Sequence, residues 1–238
     1  MGTKGTKEWA DHNVNLIDGC AHDCRYCYAK RMAIRFKRKT EATWKIMAIR
    51  QHDVDKNYVK RKGRIMFPTS HDILPEEPYF SACMTVLRKL LEAGNDVLVT
   101  TKPHYSVVKY ICDTFAPNRS QIQFRFTITS IHDEVLREWE PGAPGFQERF
   151  LALRHAYQAG FHTSISCEPA LDPICDIVVL HDIVREFVTE SFWIGKMNHA
   201  KSPVTLNVEG LREAFKGVPK VRFKDSISCK FRGNDRAG

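Results

Sequence analysis

The chain has 238 residues, of which 43% are hydrophobic, so it is long enough and apolar enough to bury the core of one large domain. Its 36 Lys and Arg outnumber its 28 Asp and Glu, and the net charge of +8 is compatible with an anionic partner without requiring one. No run approaches the roughly 18 apolar residues of a membrane span, and the polar N-terminus lacks the apolar segment of a signal peptide. We therefore expect a cytoplasmic protein that does not enter a membrane.

The predicted elements alternate between strand and helix along the chain, with no linker or repeat, which predicts a single domain over residues 1–238. The predicted strands cover residues 14–17, 64–67, 96–100, 122–128, 163–167 and 192–194, with a weaker one at 221–223. The predicted helices cover about 28–50, 79–93, 105–115, 146–159, 174–189 and 206–216. Six such units imply parallel strands joined by right-handed crossovers, hence an α/β fold that is either a partial or full barrel or a doubly wound sheet.

Polar side chains follow nearly every predicted strand. Both architectures place their chemistry at the C-terminal ends of parallel strands. The groups at these ends are Cys20 to Cys27, Thr69 to Asp72, Thr101-Lys102, Thr129 to His132, Cys167-Glu168 and Lys196 to His199. Loops are polar in any protein, but so many reactive groups at one rim predict a functional site there.

Three of the eight cysteines form a C-x-x-x-C-x-x-C motif at Cys20, Cys24 and Cys27. Random placement would give roughly 0.01 such triplets in a chain of this composition. Structural zinc favours four ligands in two separated pairs, and a redox pair at Cys24 and Cys27 would leave Cys20 unused. Three thiolates in a short loop suit a cubane iron-sulfur cluster with one iron open to a cofactor, and the sequence favours this over zinc or buried thiols.

The stretch from Asn15 to Ala29, with the aromatic Tyr26 before the last cysteine, resembles the cluster loop of radical S-adenosylmethionine (SAM) enzymes. The resemblance is closest to the branch that contains spore photoproduct lyase, and it covers about residues 12–170. It extends through Thr69-Ser70, Thr101-Lys102, the strand at 124–129, the segment 140–144 and Glu148-Arg149. It implies a partial TIM barrel of the (β/α)6 type, with a core of about 12–200 and a C-terminal segment of about 201–238 that closes the barrel.

The resemblance also implies cofactors and site residues. Cys20, Cys24 and Cys27 would bind a [4Fe-4S] cluster, and SAM would cap the fourth iron. Tyr26 would flank the adenine, Ser70 and Lys102 would contact the methionine part, and Thr127 would face the ribose; Glu168, at a strand end, would accept a ribose or substrate hydroxyl. Each of these residues also has an ordinary structural interpretation. Tyr26 would fill the core, Ser70 would bond within a turn and Lys102 would be an exposed loop lysine. Thr127 would serve strand propensity, and Glu168 would simply end a strand.

The implied activity is reductive cleavage of SAM to a 5′-deoxyadenosyl radical that abstracts hydrogen from an unidentified substrate. An electron donor such as flavodoxin or ferredoxin would supply the electron. In spore photoproduct lyases a cysteine directly before the Thr-Ser pair returns a hydrogen to the product radical, but this chain has Pro68 there. We therefore expect a different radical reaction, with Cys167 as the candidate thiol if a hydrogen donor is retained. Cys83 and Cys112 lie in helical patterns and are predicted core residues. Cys167 and Cys175 flank a predicted rim loop, where two buried thiols are favoured over a hydrogen donor or part of a second cluster, and Cys229 has no predicted role.

Basic residues cluster in the ranges 30–31, 35–39 and 60–64, as a solvated face or as a track for nucleic acid. The competing function is a non-catalytic iron-sulfur protein that binds nucleic acid or transfers electrons, and a second alternative is a zinc-stabilised binding module. Ser70, Lys102 and Thr127 favour the enzyme, because an electron carrier needs no cofactor-binding rim and usually has four cysteine ligands.

Overall fold

A computed structural model describes residues 5–198 and 200–228 as nine strands and nine α-helices. The strands are β1 (His12–Asn13), β2 (Ile17–Asp18), β3 (Ala48–Ile49), β4 (Arg64–Phe67), β5 (Asp96–Thr101), β6 (Ile122–Thr127), β7 (His162–Cys167), β8 (Phe192–Ile194) and β9 (Val221–Phe223). The helices are α1 (Tyr28–Arg35), α2 (Gln51–Asp55), α3 (Tyr79–Glu92), α4 (Tyr105–Thr114), α5 (Asp133–Trp139), α6 (Phe146–Gln158), α7 (Ile174–Val184), α8 (Val208–Ala214) and α9 (Asp225–Ser228). Short 3-10 turns occur at Gly5–Glu8, Ala116–Gln121 and Arg185–Phe187.

Seven of these strands form one parallel sheet in the order β1-β4-β5-β6-β7-β8-β9, and β2 and β3 form a separate antiparallel pair. The order in space follows the order in sequence, so every crossover runs in the same direction and the sheet curls into a partial barrel. The register places Thr101 beside Phe126 and Thr127 beside Ser166, so the C-terminal ends of the central strands lie level. This confirms the predicted α/β class and partial barrel.

Strand β6 shows how the alternation of side chains builds the two sides of the sheet. Phe124 and Phe126 belong to the main hydrophobic core on the helix-covered side. Gln123, Arg125 and Thr127 alternate with them and face the barrel interior, where Arg125 lies over the ring of Trp9 at 4.4 Å. The interior is therefore polar toward the strand ends, while the core lies between the sheet and its helices.

The N-terminal 3-10 turn Gly5–Glu8 reaches across to β9, the other edge of the sheet. The Lys224 ammonium, directly after β9, donates to the carbonyl oxygen of Gly5 at 3.0 Å and pairs with the Glu8 carboxylate at 2.9 Å. It also lies 4.0 Å from the ring of Trp9. We call this contact the terminal clasp; it joins the first and last strands of the sheet without a strand pairing.

Two predicted elements differ from the structure. The helix predicted over 28–50 ends at Arg35, because Lys37 adopts a left-handed conformation (φ 55) and the Thr40 and Thr43 hydroxyls bond each other and the backbone in a tight turn. The strand predicted over 14–17 is wrong as a unit: residues 12–13 join the sheet and residues 17–18 pair with β3. Helix α5 was not among the predicted elements.

No helix among the described residues is both long enough and apolar enough to cross a membrane.

Candidate active site

A cavity of about 1070 Å³ opens at the C-terminal ends of the parallel strands. Eight of the nine residues predicted for the site line it. They are Cys20, Cys24, Cys27, Tyr26, Ser70, Lys102, Thr127 and Glu168. These side chains come from five separate strand ends or loops, so the curled sheet brings together groups that lie far apart in the sequence.

The three cysteines lie on a compact loop of consecutive turns. The Asp23 amide donates to the Cys20 carbonyl oxygen at 3.3 Å, and the Cys27 amide donates to that of Cys24 at 3.1 Å. Cys27 is the N-cap of α1, and its Sγ accepts from the Lys30 amide at 3.4 Å. Cys27 therefore lies at the N-terminus of α1, where the helix dipole favours negative charge.

Cys20 and Cys24 are buried, and Cys27 is half-buried. Burial raises the pKa of the Cys20 thiol to about 12 and that of Cys24 well above its usual range. Without a metal, these two thiols hold their protons at neutral pH, and binding of a metal would release them. Among the described residues, no other cysteine lines the cavity, so the thiols there offer three ligands rather than four.

Two glycines let neighbouring segments pack directly against the cysteine loop. Gly19 has φ +99, and a Cβ on it would lie 2.6 Å from the Trp44 carbonyl oxygen, which accepts from the Cys20 amide. A Cβ on Gly142 would lie 2.2 Å from the Ala21 carbonyl oxygen. The loop is thus held between the 44–46 segment and the 140–144 segment, with no room for a side chain at either contact.

Asp72 joins three loops beneath the cavity. Its carboxylate accepts from the Lys102 amide at 2.9 Å and from the Thr101 hydroxyl, and it lies 3.2 Å from Nδ1 of His22 in the cysteine loop. Burial alone would raise the pKa of Asp72, but His22, the charge of Lys102 and the Thr101 hydroxyl hold it well below its usual range. A buried carboxylate therefore fixes the cysteine loop relative to Lys102.

Tyr26 is held by a second buried network. Its hydroxyl donates to Glu140, which also accepts from the Thr129 hydroxyl at 2.8 Å and pairs with the Arg149 guanidinium at 2.6 Å. Arg149 and Glu140 have fully buried side chains, and Arg149 also donates to the Thr127 carbonyl oxygen at 3.1 Å. The segment 140–144 and Glu148-Arg149, noted in the sequence for resemblance alone, thus position Tyr26 and Thr127.

Lys102 lies with its ammonium 5.5 Å from the centre of the Tyr26 ring. Burial disfavours its charged form, but Cys24, Glu140 and Asp72 outweigh that effect and raise the pKa of Lys102 above its usual value. Lys102 is therefore a fixed cation beside the cysteine loop, suited to an anionic group of a ligand.

Ser70 is positioned by Asn15. The Asn15 side-chain oxygen accepts from the amides of Thr69 and Ser70 at 2.7 and 2.9 Å, and its amide donates to the Thr69 hydroxyl at 2.8 Å. Sequence reasoning missed the supporting roles of Asn15, Asp72 and Glu140, because the cavity residue that each one positions lies 30 to 114 residues away in the chain. Asp72 follows a predicted strand end, and Glu140 lies in a segment that only the resemblance singled out.

Cys167 is the one predicted site residue that the structure does not bring to the cavity. It alternates with Ser166 and Glu168, which do line the cavity, and its own side chain is fully buried in the hydrophobic core. Cys83 and Cys112 are also buried in the core, and Cys175 is exposed on α7. Cys229 and His199 lie outside the described residues.

The comparison with family models decides which family the chain belongs to. The model of the radical SAM superfamily matches residues 14–167, which contain the cysteine loop and β4 to β7. The chain belongs to the radical SAM superfamily. The superfamily carries out radical chemistry with a [4Fe-4S] cluster and SAM, and these are the cofactors that membership assigns to the chain.

Two curated proteins are similar to this radical SAM chain, and both are uncharacterized. They are ORF301 of Acidianus two-tailed virus, 24% identical over 185 residues, and MJ0683 of Methanocaldococcus jannaschii, 24% identical over 169 residues. The matches cover 73% and 71% of this chain but 59% and 63% of the two relatives. The chain thus spans less than two thirds of the length of these relatives.

Solved structures share the fold at low sequence identity. A spore photoproduct lyase variant with a dinucleoside spore photoproduct has a TM-score of 0.55 and 19% identity, and the match covers 92% of this chain and 64% of that one. SuiB of Streptococcus suis bound to SAM has a TM-score of 0.52 and 13% identity, covering 89% of this chain and 44% of that one.

The site's donor set fits both cofactors of the superfamily. Soft thiolates are the ligands of iron-sulfur clusters, and three of them on one loop leave one iron of a cubane without a cysteine. Lys102 offers a half-buried cation for a carboxylate, and Tyr26 offers an aromatic face. The cavity volume, about 1070 Å³, lies slightly above the range of ~300–1000 Å³ for small-molecule sites, so it has room for a cofactor and a substrate.

Proposed function

We propose that this chain is a radical SAM enzyme in which Cys20, Cys24 and Cys27 hold the [4Fe-4S] cluster. SAM would lie in the same cavity, with its carboxylate near Lys102 and its adenine beside Tyr26. The observation that carries the proposal is the convergence of three thiols, Lys102 and Tyr26 on one cavity. When bound, the cluster and SAM supply an electron and a 5′-deoxyadenosyl radical that abstracts a hydrogen atom from the substrate.

The chain's own residues would bind and orient the cofactors. Glu140 fixes the Tyr26 hydroxyl, and Asp72 fixes the backbone amide of Lys102, so both groups are positioned before SAM arrives. Such preorganisation lowers the entropy lost on binding and keeps the reacting atoms aligned. Ser70 and Thr127 offer hydroxyl groups for the polar parts of the cofactor, each on a strand-end segment held by long-range hydrogen bonds.

The far side of the cavity would hold the substrate. It is lined by Glu8, Trp9, Glu168, Lys196 and Lys224, which bring acids, bases and an indole ring to one wall. Burial raises the pKa of Glu168, although Lys224 counteracts this, so Glu168 is suited to bond a hydroxyl group. A structural neighbour holds a dinucleoside lesion, which makes nucleic acid one substrate class to test here.

The reaction we propose differs from spore photoproduct repair. Pro68 has no S–H to donate, and Cys167 has its side chain in the core rather than in the cavity. A hydrogen donor must lie in contact with the product radical, and neither residue meets that requirement. Incubation of the active enzyme with a dinucleoside spore photoproduct should give SAM cleavage without two intact thymines; multiple-turnover repair would contradict this.

The proposed function is tested by cofactor content and by SAM cleavage. Anaerobic reconstitution should give about four irons and four sulfides per chain. After reduction, SAM should be cleaved slowly to 5′-deoxyadenosine even without substrate, as measured by chromatography.

The matched variants are Cys24→Ala in the cavity and Cys175→Ala on the exposed face of α7. The first should lose the cluster and all cleavage, whereas the second should retain both. Stoichiometric zinc in place of iron, or a Cys24→Ala protein that keeps its cluster, would overturn the assignment. A loaded cluster that cleaves no SAM with any reductant would favour the non-catalytic iron-sulfur protein.

A further inference from the structure

The positive charge of the chain is concentrated in one short segment. Residues 28–46, which comprise α1 and the loop after it, contain seven Lys or Arg and one Glu. They therefore account for +6 of the net charge of +8. Five of these basic side chains are exposed, and we call them the basic face: Arg31, Arg35, Lys37, Arg38 and Lys45.

This charge is largely unneutralised. The half-buried Lys30 forms ion pairs with the two nearby acids, Asp23 at 2.9 Å and Glu41 at 2.7 Å. Within residues 5–198 and 200–228, no salt bridge is formed by any member of the basic face. Like charges held this close repel one another, so a complementary acidic surface would gain attraction without first breaking an ion pair.

Exposed apolar side chains lie in the same segment. Tyr28, Phe36 and Ile46 are 57%, 60% and 63% exposed. A few apolar residues among charged ones are typical of small, transient interfaces, and electron-transfer complexes fall in this class. The composition therefore fits a partner that binds briefly and leaves.

The segment packs directly on two of the cluster thiols. Cys20 packs in a small hydrophobic core with Ala33 and Trp44, and Cys27 packs against these side chains. The Cys20 amide donates to the Trp44 carbonyl oxygen at 3.2 Å, and Cys27 caps α1. The segment that carries the basic face is therefore the same one that packs on two of the three thiols. Electron tunnelling falls steeply with distance, so a donor gains most by docking here.

We propose that the basic face is the docking site for an acidic electron-transfer protein that reduces the cluster, an inference that rests on the proposed function. The donor is oxidised by one electron and the cluster is reduced by one; no bond forms or breaks. None of the five basic residues lines the cavity, so they serve a partner outside it rather than the substrate within. This location favours a donor protein over a nucleic-acid substrate as the occupant.

The chain offers a matched control for this docking site. Lys60, Arg61 and Lys62 are also exposed and basic, but they precede β4 and therefore lie at the N-terminal end of the strands, opposite the cavity. The test compares a triple variant, Arg35→Glu, Arg38→Glu and Lys45→Glu, with the control Lys60→Glu, Arg61→Glu and Lys62→Glu. Both variants change the net charge from +8 to +2, so a difference between them reports location and not total charge.

The first readout is direct binding of an oxidised, acidic bacterial flavodoxin to the unloaded protein at low salt. The basic-face variant should bind at least about tenfold more weakly than the control, and the affinity of the wild type should fall with salt. The second readout is the rate of 5′-deoxyadenosine formation. That rate should fall at least about tenfold in the basic-face variant with reduced flavodoxin, and remain unchanged with reduced methyl viologen, a small cation that needs no docking site.

The possible failures are distinguishable. If neither the wild type nor either triple variant cleaves SAM with methyl viologen, the proposed function fails. If methyl viologen supports cleavage but both triple variants bind and accept electrons from flavodoxin alike, the docking proposal is overturned. Loss of binding to a single-stranded oligonucleotide in the basic-face variant, with flavodoxin-driven cleavage unchanged, would instead assign the face to nucleic acid.

Discussion

Lys102 is a half-buried cation whose charged form is favoured by acidic neighbours, although it forms no ion pair with any of them within the described residues. We expect Lys102→Ala to weaken SAM binding about ten- to hundredfold, because a hydrogen bond to a charged group contributes roughly 1.5–3 kcal/mol. Iron content should be unchanged, since Lys102 is not a cluster ligand. Equilibrium binding of SAM and iron analysis check this, with Lys109→Ala on the exposed face of α4 as the control. Equal loss of iron and of SAM binding would show a structural role only.

Glu140 and Arg149 form a buried ion pair, and removal of one partner leaves the other charge uncompensated. We expect Glu140→Gln to lower the free energy of unfolding by about 3–5 kcal/mol at pH 7. The exposed pair of Glu213 and Lys216 is the control, and Glu213→Gln should cost less than about 1 kcal/mol. Urea denaturation measures both, and equal effects would contradict the role assigned to the buried pair.

The same carboxylate predicts a pH dependence. Burial raises the pKa of Glu140, but Arg149 and Lys102 outweigh it and hold the pKa below its usual value of 4.5. A carboxylate with a depressed folded pKa contributes stability above its unfolded pKa and loses it as the pH falls through the folded pKa. The stability difference between wild type and Glu140→Gln should therefore shrink as the pH falls below about 4.5, in urea titrations at several pH values. A constant difference down to pH 3 would contradict this.

At the level of elements, the 140–144 segment packs directly against the cysteine loop. A methyl group at Gly142 would meet the Ala21 carbonyl oxygen at 2.2 Å, so one of the two backbones must shift. We expect Gly142→Ala to lower the cluster occupancy after reconstitution and to destabilise the fold by about 1–3 kcal/mol. Gly210→Ala in α8 is the control, since its new contacts are side-chain atoms at 3.2 Å or more. Full cluster occupancy in Gly142→Ala would show that cluster binding does not require this close packing.

The sequence predicted those parts of the site that depend on local spacing. The cysteine loop follows from its motif, and Ser70, Lys102 and Thr127 follow from the resemblance to the family. All of them line the cavity. Helix α1 was predicted too long, because the turn at Thr40 and Thr43 and the burial of Trp44 against Cys20 depend on tertiary packing rather than on helix propensity.

The supporting network could not be predicted from one sequence. Asp72 acts by contacts with His22 and Lys102, and Glu140 acts by its contact with Tyr26, across 30 to 114 residues of chain. Nothing in the local pattern distinguishes such carboxylates from the solvated ones that most loops contain. Cys167 shows the reverse case: its strand-end position suggested the cavity, but the alternation of side chains along β7 turns it to the core.

At the scale of the whole molecule, the terminal clasp completes the partial barrel. Lys224 and Glu8 are nearly buried, with side chains 5% and 7% exposed, and they hold the N-terminal turn against the end of β9. We expect Lys224→Ala to speed hydrogen exchange at the amides of residues 6–9 at least about tenfold while the amides of β5 and β6 keep their protection. Exchange measured by mass spectrometry checks this. Unchanged exchange at residues 6–9 would contradict the role assigned to Lys224.

The central claim is that one loop of three thiols leaves an iron to which SAM binds inside the cavity. The most direct measurement is electron-nuclear double resonance on the reduced, reconstituted protein with SAM labelled with ¹⁵N in its amino group and ¹⁷O in its carboxylate. The account predicts hyperfine coupling of both labels to the cluster, lost in Cys24→Ala and retained in Cys175→Ala. A fully loaded, reduced cluster that shows no coupling to either label at saturating SAM would contradict it.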